Sequence, residues 1–350
     1  PRCLFARAGI RRKMSAGGGY DAEAALPRPN MAYLAQPGMV ARFKRAGRRS
    51  MEINEFAVKV CNAVKRELGE EYRTELREVR KNNGVMLHGL LVRSRAHNVA
   101  PTIYLEGFLE AYEAGATFAS IVRRLVGIYR EDVPGDGIDM AFFQDFEKVR
   151  DRICYRLIGR RGNGELLEEV PHIEFLDLAI CFYYAYRGEA LGEGMILIHH
   201  SHAGMWGISA RELFGLAESN TPRLFPWECS SLEDILAGTA DRNPECGDAC
   251  GEPEGMPMCV LSNQKRIHGA ACMLYPRVLE DMAERLQSGF YILPSSIHEV
   301  ILLTCPQGDR TAELRRMIRE VNGTQVAPEE ILSDNLYYYD FIEKKVKIIF

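Results

Sequence analysis

The chain has 350 residues, 47% apolar and 26% charged, enough to bury one large core or two moderate ones, which excludes a disordered or fibrous chain. The formal charge of −4 conceals an asymmetry: residues 1–50 carry eleven Lys/Arg against two Asp/Glu, while 51–350 carry 33 against 46. Such an acidic bulk repels phosphate backbones and disfavours nucleic-acid binding, and no apolar run reaches the roughly 20 residues of a membrane helix.

The first fifty residues are Arg-rich and acid-poor like a transit peptide, yet they hold only Ser15 and Ser50 and are broken by Pro27, Pro29, Pro37 and Gly17-Gly18-Gly19. Arg48-Arg49 can be read as a ribosome-binding site translated as codons, and an amphipathic pattern follows Met51. A start at Met51 is therefore expected, with residues 1–50 a non-native or disordered leader. Several of the ten cysteines fall in apolar segments, where a thiol acts as a small hydrophobe. That usage, with no export signal, predicts a cytoplasmic protein.

From Met51, the apolar positions Ile53, Phe56, Val60 and Val64 recur at helical spacing and predict a helix over 52–68 with no obvious cap. Two extended runs, 73–81 and 85–93, flank Asn82-Asn83-Gly84, whose Asn-Gly pair suits a type I′ hairpin turn. Pro101–Leu105 is expected as a third strand, with helices over about 107–114 and 117–130. The acidic loop Glu131–Gly137 then marks a boundary, so 51–135 reads as a helix-and-hairpin unit.

Residues 136–237 read as a first strand-strand-helix module. Its extended runs are Arg152–Ile158, Phe175–Tyr186 and Gly194–His199, and the capping box Ser209-Ala-Arg-Glu212 opens a helix expected to end at Asn220, before Pro222. A polar loop, 238–257, separates it from a second module over 258–350. There Met258–Leu261 is a strand, Pro276 opens a helix, and Tyr291–Leu293 with Glu299–Thr304 form a hairpin around Pro294-Ser-Ser. Leu314, Met317, Ile318 and Val321 give a last helix, expected to close at Gly323. The sum is an α+β fold with mixed, mostly antiparallel sheets.

Ser295, Ser296, His298 and Glu299 have the residue types of a nucleophile, a base and an orienting acid. On a strand rising about 3.3 Å per residue, however, Ser296 and His298 would share a face about 6.6 Å apart with Glu299 opposite, which is too far for a triad. His200 and His202 would likewise share a face if the preceding strand continued, but two ligands do not make a zinc site. Cys246 and Cys250, with Cys229 and Cys259 in reach, lack a second closely spaced pair. Neither a P-loop nor a dinucleotide fingerprint occurs, so no cofactor and no metal is predicted.

Two functions are compatible with this pattern. The first is a non-catalytic binding or adaptor module that meets a protein partner through a sheet face or the 238–257 loop. The second is a hydrolase whose site gathers His298, Glu299 and one of the histidines at 199–202 where the two modules meet.

Lys81-Asn-Asn-Gly-Val85, Pro101-Thr-Ile-Tyr-Leu105, Phe143–Val149, Met205-Trp-Gly-Ile208, Gly269-Ala-Ala271, Leu293–Val300 and Val321–Asp334 run in order along 51–350. Together they resemble a bacterial family, common in gut clostridia, known as domain of unknown function 5688. The resemblance implies a cytosolic bacterial protein and implies no reaction, cofactor or catalytic residue.

Overall fold

A computed structural model describes residues 51–94, 102–132, 140–188, 192–231, 258–304 and 310–350. Residues 1–50, most of the acidic loop at 131–137 and the polar stretch at 238–257 lie outside them, as does the side chain of Ser295. The described residues form an α+β architecture with three sheets, and each strand pair of known register is antiparallel. Contacts divide them into two compact units, 51–148 with 185–196, and 149–184 with 197–350.

In the first unit, helix α1 (Ile53–Leu68) buries Phe56, Val60 and Val64, each worth about 1.5–3 kcal/mol on leaving water. No side chain caps its start, where Phe56 N–H bonds Glu52 O at 3.0 Å. Strands β1 (Tyr72–Arg80) and β2 (Met86–Ser94) pair from Tyr72↔Ser94 to Arg80↔Met86. The chain reverses through Asn83 and Gly84, both at positive φ, as the Asn-Gly pair predicts. Strand β3 (Thr102–Tyr104) adds to β2, and helices α2 (Glu106–Glu113) and α3 (Phe118–Asp132) follow. His88 ties this corner together: its backbone N–H and its Nδ1 both meet Glu106 Oε1, at 2.6 and 3.0 Å, and its Nε2 lies 2.9 Å from Asn54 Oδ1. A short helix, α4 (Phe146–Val149), leads out.

The second unit contains strands β4 (Ile153–Gly159) and β5 (His172–Phe175) on either side of β6 (Leu178–Gly188), with helix α5 (Gly164–Glu169) between β4 and β5 in the chain. Strand β7 (Gly192–Leu197) pairs with β6, and residues 185–196 of this pair belong to the first unit. Helices α6 (His200–Trp206) and α7 (Ala210–Leu224) follow. The predicted capping box opens α7: Ser209 Oγ accepts Glu212 N–H at 3.3 Å, and Glu212 Oε2 accepts Ser209 N–H at 2.9 Å. The helix does not stop at Asn220. It runs through Pro222, because a proline in the last turn removes few helical bonds, and Thr221 Oγ1 bonds Ala217 O there.

The six-stranded sheet has the order β13-β12-β10-β11-β9-β8. Its strands are β8 (Trp227–Ser231), β9 (Met258–Asn263), β10 (Phe290–Ser296), β11 (Glu299–Thr304), β12 (Leu336–Asp340) and β13 (Lys345–Ile349). Helix α8 (Val278–Leu286) precedes β10, and helix α9 (Thr311–Thr324) packs on β10 and β12. Gly323 lies inside the last turn of α9 rather than closing it; Gln325 takes the C-cap. Pro294-Ser-Ser is not a turn either. The register shifts between Leu293 and Ser296, so Pro294 sits at a bulge, where a strand tolerates a residue without an N–H, and Ile297-His298 make the reversal.

Candidate functional site

The polar residues of the second unit converge on the Ile297-His298 turn. Strand β9 ends in the buried Asn263, whose Oδ1 accepts the N–H groups of Lys265 and Ile267 at 3.1 and 3.3 Å, while its Nδ2 donates to Ile267 O at 2.8 Å. This side chain wraps the loop that follows, in which Arg266 and His268 both hold φ near 53°. Left-handed conformations at two non-glycine residues are strained and persist only where the surroundings dictate them. The loop then presses onto the hairpin: a Cβ on Gly269 would collide with Ser262 Oγ and with the His298 carbonyl. Ser262 Oγ donates to that carbonyl at 2.8 Å.

His298 is locked on several sides. Its backbone N–H donates to Ser296 Oγ at 3.0 Å, and its ring lies parallel to the His268 ring, with centroids 5.7 Å apart and planes inclined by 12°. The backbone N–H of His268 donates to His298 Nδ1 at 3.2 Å. An amide N–H can only donate, so Nδ1 carries the lone pair and a neutral His298 keeps its proton on Nε2. That nitrogen faces Glu330 Oε1 at 3.6 Å, and the neighbouring Ile297 N–H donates to Glu330 O at 2.8 Å. Burial pushes the Glu299 carboxyl up, against the opposing charges of Arg266 and His298.

The charge of Arg156 also acts on His268. In the β4–β6 pair Arg156 is opposite Cys181 and Cys154 opposite Tyr183, so Arg156, Cys181 and Tyr183 share one face of the sheet. The Tyr183 ring centroid is 5.9 Å from that of His268. Arg156 Nε and His268 Nδ1 are both buried, and neither meets a hydrogen-bond partner. Burial is the main force lowering the Arg156 pKa, and it also holds His268 well below the usual imidazole range, helped by the charges of Arg156 and His298. His268 is therefore neutral at neutral pH.

The other sequence candidates do not join this cluster in the way the strand pattern suggested. Residues 200–206 are helical, so His200 and His202, at about 100° per residue, project about 200° apart and do not share a face. His199 caps the helix, and its N–H donates to His202 Nδ1 at 3.1 Å. The His202 ring packs on His199 and Trp206, and burial, with the His199 charge, lowers its pKa. Ser296 and Glu299 flank the turn as a cross-strand pair, so Ser296, His298 and Glu299 do not lie along one strand. Cys246 and Cys250 are outside the described residues. Among the described residues, no group of three or more His, Cys, Asp or Glu side chains is placed to hold a metal ion.

Two grooves lie elsewhere. One of about 360 Å³ runs beside Glu218, Trp227 and Tyr275 in the second unit, and one of about 330 Å³ beside Lys59, Arg66 and Tyr112 in the first. Ser219 and Glu218 both line the first, with no hydrogen bond between their side chains.

Arg156, His268 and Glu330 were not among the residues the sequence singled out. One signal for Arg156 was present, a lone charge in the apolar run Ile153–Ile158. His268 and Glu330 carry no local signal.

Residues 53–341 match a family of unknown function, DUF5688. The chain belongs to this family. The match covers both units and takes in Arg156, His268, His298 and Glu330. No curated protein and no solved structure matches the chain.

Proposed function

We propose that this member of DUF5688 is a non-catalytic binding module. The observation that carries this reading is the hydrogen bond from His268 N–H to His298 Nδ1. A hydrolytic histidine needs a lone pair aimed at a nucleophile or a water. Here the lone pair is spent on the backbone, and the proton-bearing nitrogen faces Glu330. Ser296 accepts the His298 backbone N–H and is itself buried. These bonds hold the turn in shape, which is what a recognition surface requires. A bacterial, cytoplasmic setting and a protein partner belong to the same proposal. The cytoplasmic setting is supported by the cysteines at 61, 154, 181, 229, 259 and 272, which are free.

The test is activity profiling of the full chain with fluorogenic ester, phosphoester and peptide substrates and a serine-directed fluorophosphonate, alongside His298→Asn. Asn retains an oxygen able to accept the His268 N–H, so the variant is expected to fold. The reading predicts no turnover and no labelling in either protein. Turnover that is present in the native chain and lost in folded His298→Asn would overturn it.

A further inference from the structure

We infer that Arg156 and His268 form a binding site for a singly charged carboxylate. The inference rests on the reading of the chain as a binding module and names the ligand of that module.

The first observation is a half-buried cation without a counter-ion, its Nε fully enclosed. Arg156 stands in the middle of β4, and arginine is rarely taken into the interior without a carboxylate to pair with. Among the described residues no carboxylate bonds it. The ionisable groups that act on it to keep its charge are a thiol and a phenol, Cys181 and Tyr183. Its Nε is buried and meets no acceptor.

The second observation is independent, because it comes from the loop on the other side. His268 is held at φ 53° between the Asn263-wrapped turn and Gly269, its ring stacked on His298 and lying against Tyr183. That cost in backbone strain places a neutral imidazole whose Nδ1 is buried and meets no partner. Two orphaned buried nitrogens therefore flank the same tyrosine. One is a fixed N–H donor on a guanidinium, and the other becomes an N–H donor in the Nδ1–H tautomer. An oxyanion whose oxygens accept from both would satisfy them together and neutralise the guanidinium.

Charge selects within the oxyanions. A cation is repelled by Arg156. A dianion would bring two charges to one guanidinium, with Glu299 and Glu330 beyond His298 adding repulsion. A carboxylate balances the single positive charge and matches the planar fork. The carboxylate can belong to a free small acid or to a peptide C-terminus.

The experiment is a titration of the full chain with sodium formate, followed by NMR of the Arg156 Nε–H and the His268 ring nitrogens. Sodium phosphate and sodium chloride at matched ionic strength serve as comparisons. A short peptide is added as the free acid and as the C-terminal amide, to separate the two sources. The expected result is a saturable shift of both signals with formate, absent with chloride and at least roughly tenfold weaker with phosphate. Arg156→Met, which replaces an unpaired half-buried charge by an apolar chain, should fold and lose the response. The wild-type titration stands alone if the variant does not fold. Signals that respond equally to every salt, or to none because a water alone satisfies both nitrogens, would overturn the inference. A flat titration in a protein without turnover sinks the carboxylate site alone, whereas His298-dependent turnover sinks the binding-module reading.

Discussion

Asp177 and Tyr337 are joined by a 2.8 Å hydrogen bond from the phenol to the carboxylate. The same carboxylate accepts Ser333 Oγ at 2.6 Å and Asn335 Nδ2 at 3.0 Å, so one aspartate at the β5–β6 turn gathers three donors from the segment that leads into β12. Asn322, buried in the last turn of α9, donates to Ser333 O at 3.0 Å and Asp334 Oδ1 at 2.8 Å and extends the node. Asp177→Ala leaves all three donors without their acceptor and should destabilise the chain by about 3 kcal/mol. Tyr337→Phe should cost about 1 kcal/mol, and the double variant should cost less than the sum by about 1 kcal/mol. Urea denaturation of the four proteins measures this.

Gly269 is fixed by close approach. Gly269→Ala forces the 264–269 loop away from Ser262 and from the His298 carbonyl, because backbone on one side cannot yield. A loss of about 3 kcal/mol or more is expected, with the His268–His298 bond broken. Thermal unfolding gives the first effect and the His298 ring spectrum the second.

His268 makes stability pH-dependent. Its folded-state pKa lies well below the ordinary value of 6.5, so the unfolded chain binds the proton first and stability present above about pH 6.5 is lost as pH falls below it. The slope is at most about 1.4 kcal/mol per pH unit. Glu299 acts with the opposite sign in a lower window: its raised folded-state pKa means that stability present below the ordinary carboxylate range is lost as pH rises through it. His268→Asn should flatten the first dependence, since Asn tolerates positive φ, and Glu299→Gln the second. Denaturation across pH 4 to 8, a span of about four units, separates them.

The free thiols differ in reactivity. A hydrogen bond from Cys229 holds Cys259 down at about 7, while burial pushes Cys154 and Cys272 up to about 12. Iodoacetamide near neutral pH should modify Cys259 well before the other two, and peptide mass spectrometry reads the order. Equal rates would contradict the pairing.

How much of this was legible in the sequence depends on range. Ile53, Phe56, Val60 and Val64 gave α1 because helical burial repeats every three to four residues, and Ser209 with Glu212 gave the start of α7 because both partners of a capping box are local. The Asn83-Gly84 reversal was readable for the same reason. Pro222, Gly323 and Pro294 misled because proline and glycine are read as punctuation. Tertiary bonds carry α7 past the proline through Asn220 Nδ2 to Ile153 O and Thr221 Oγ1 to Tyr155 N–H, at 3.1 Å each, and a bulge absorbs Pro294. His200 and His202 misled because the four-residue polar run His199–His202 has no period of its own. The Arg156 and His268 pairing was invisible, since it exists only once β4, β6 and the loop after β9 are assembled.

The tautomer of His298 tests the central claim most directly. A long-range proton–nitrogen spectrum of the full chain near neutral pH distinguishes a protonated Nε2 with an accepting Nδ1 from the reverse. The binding-module account predicts protonated Nε2 and Nδ1 as a hydrogen-bond acceptor from the His268 amide. A protonated Nδ1, leaving Nε2 as a free base, would contradict it and restore His298 as a catalytic candidate.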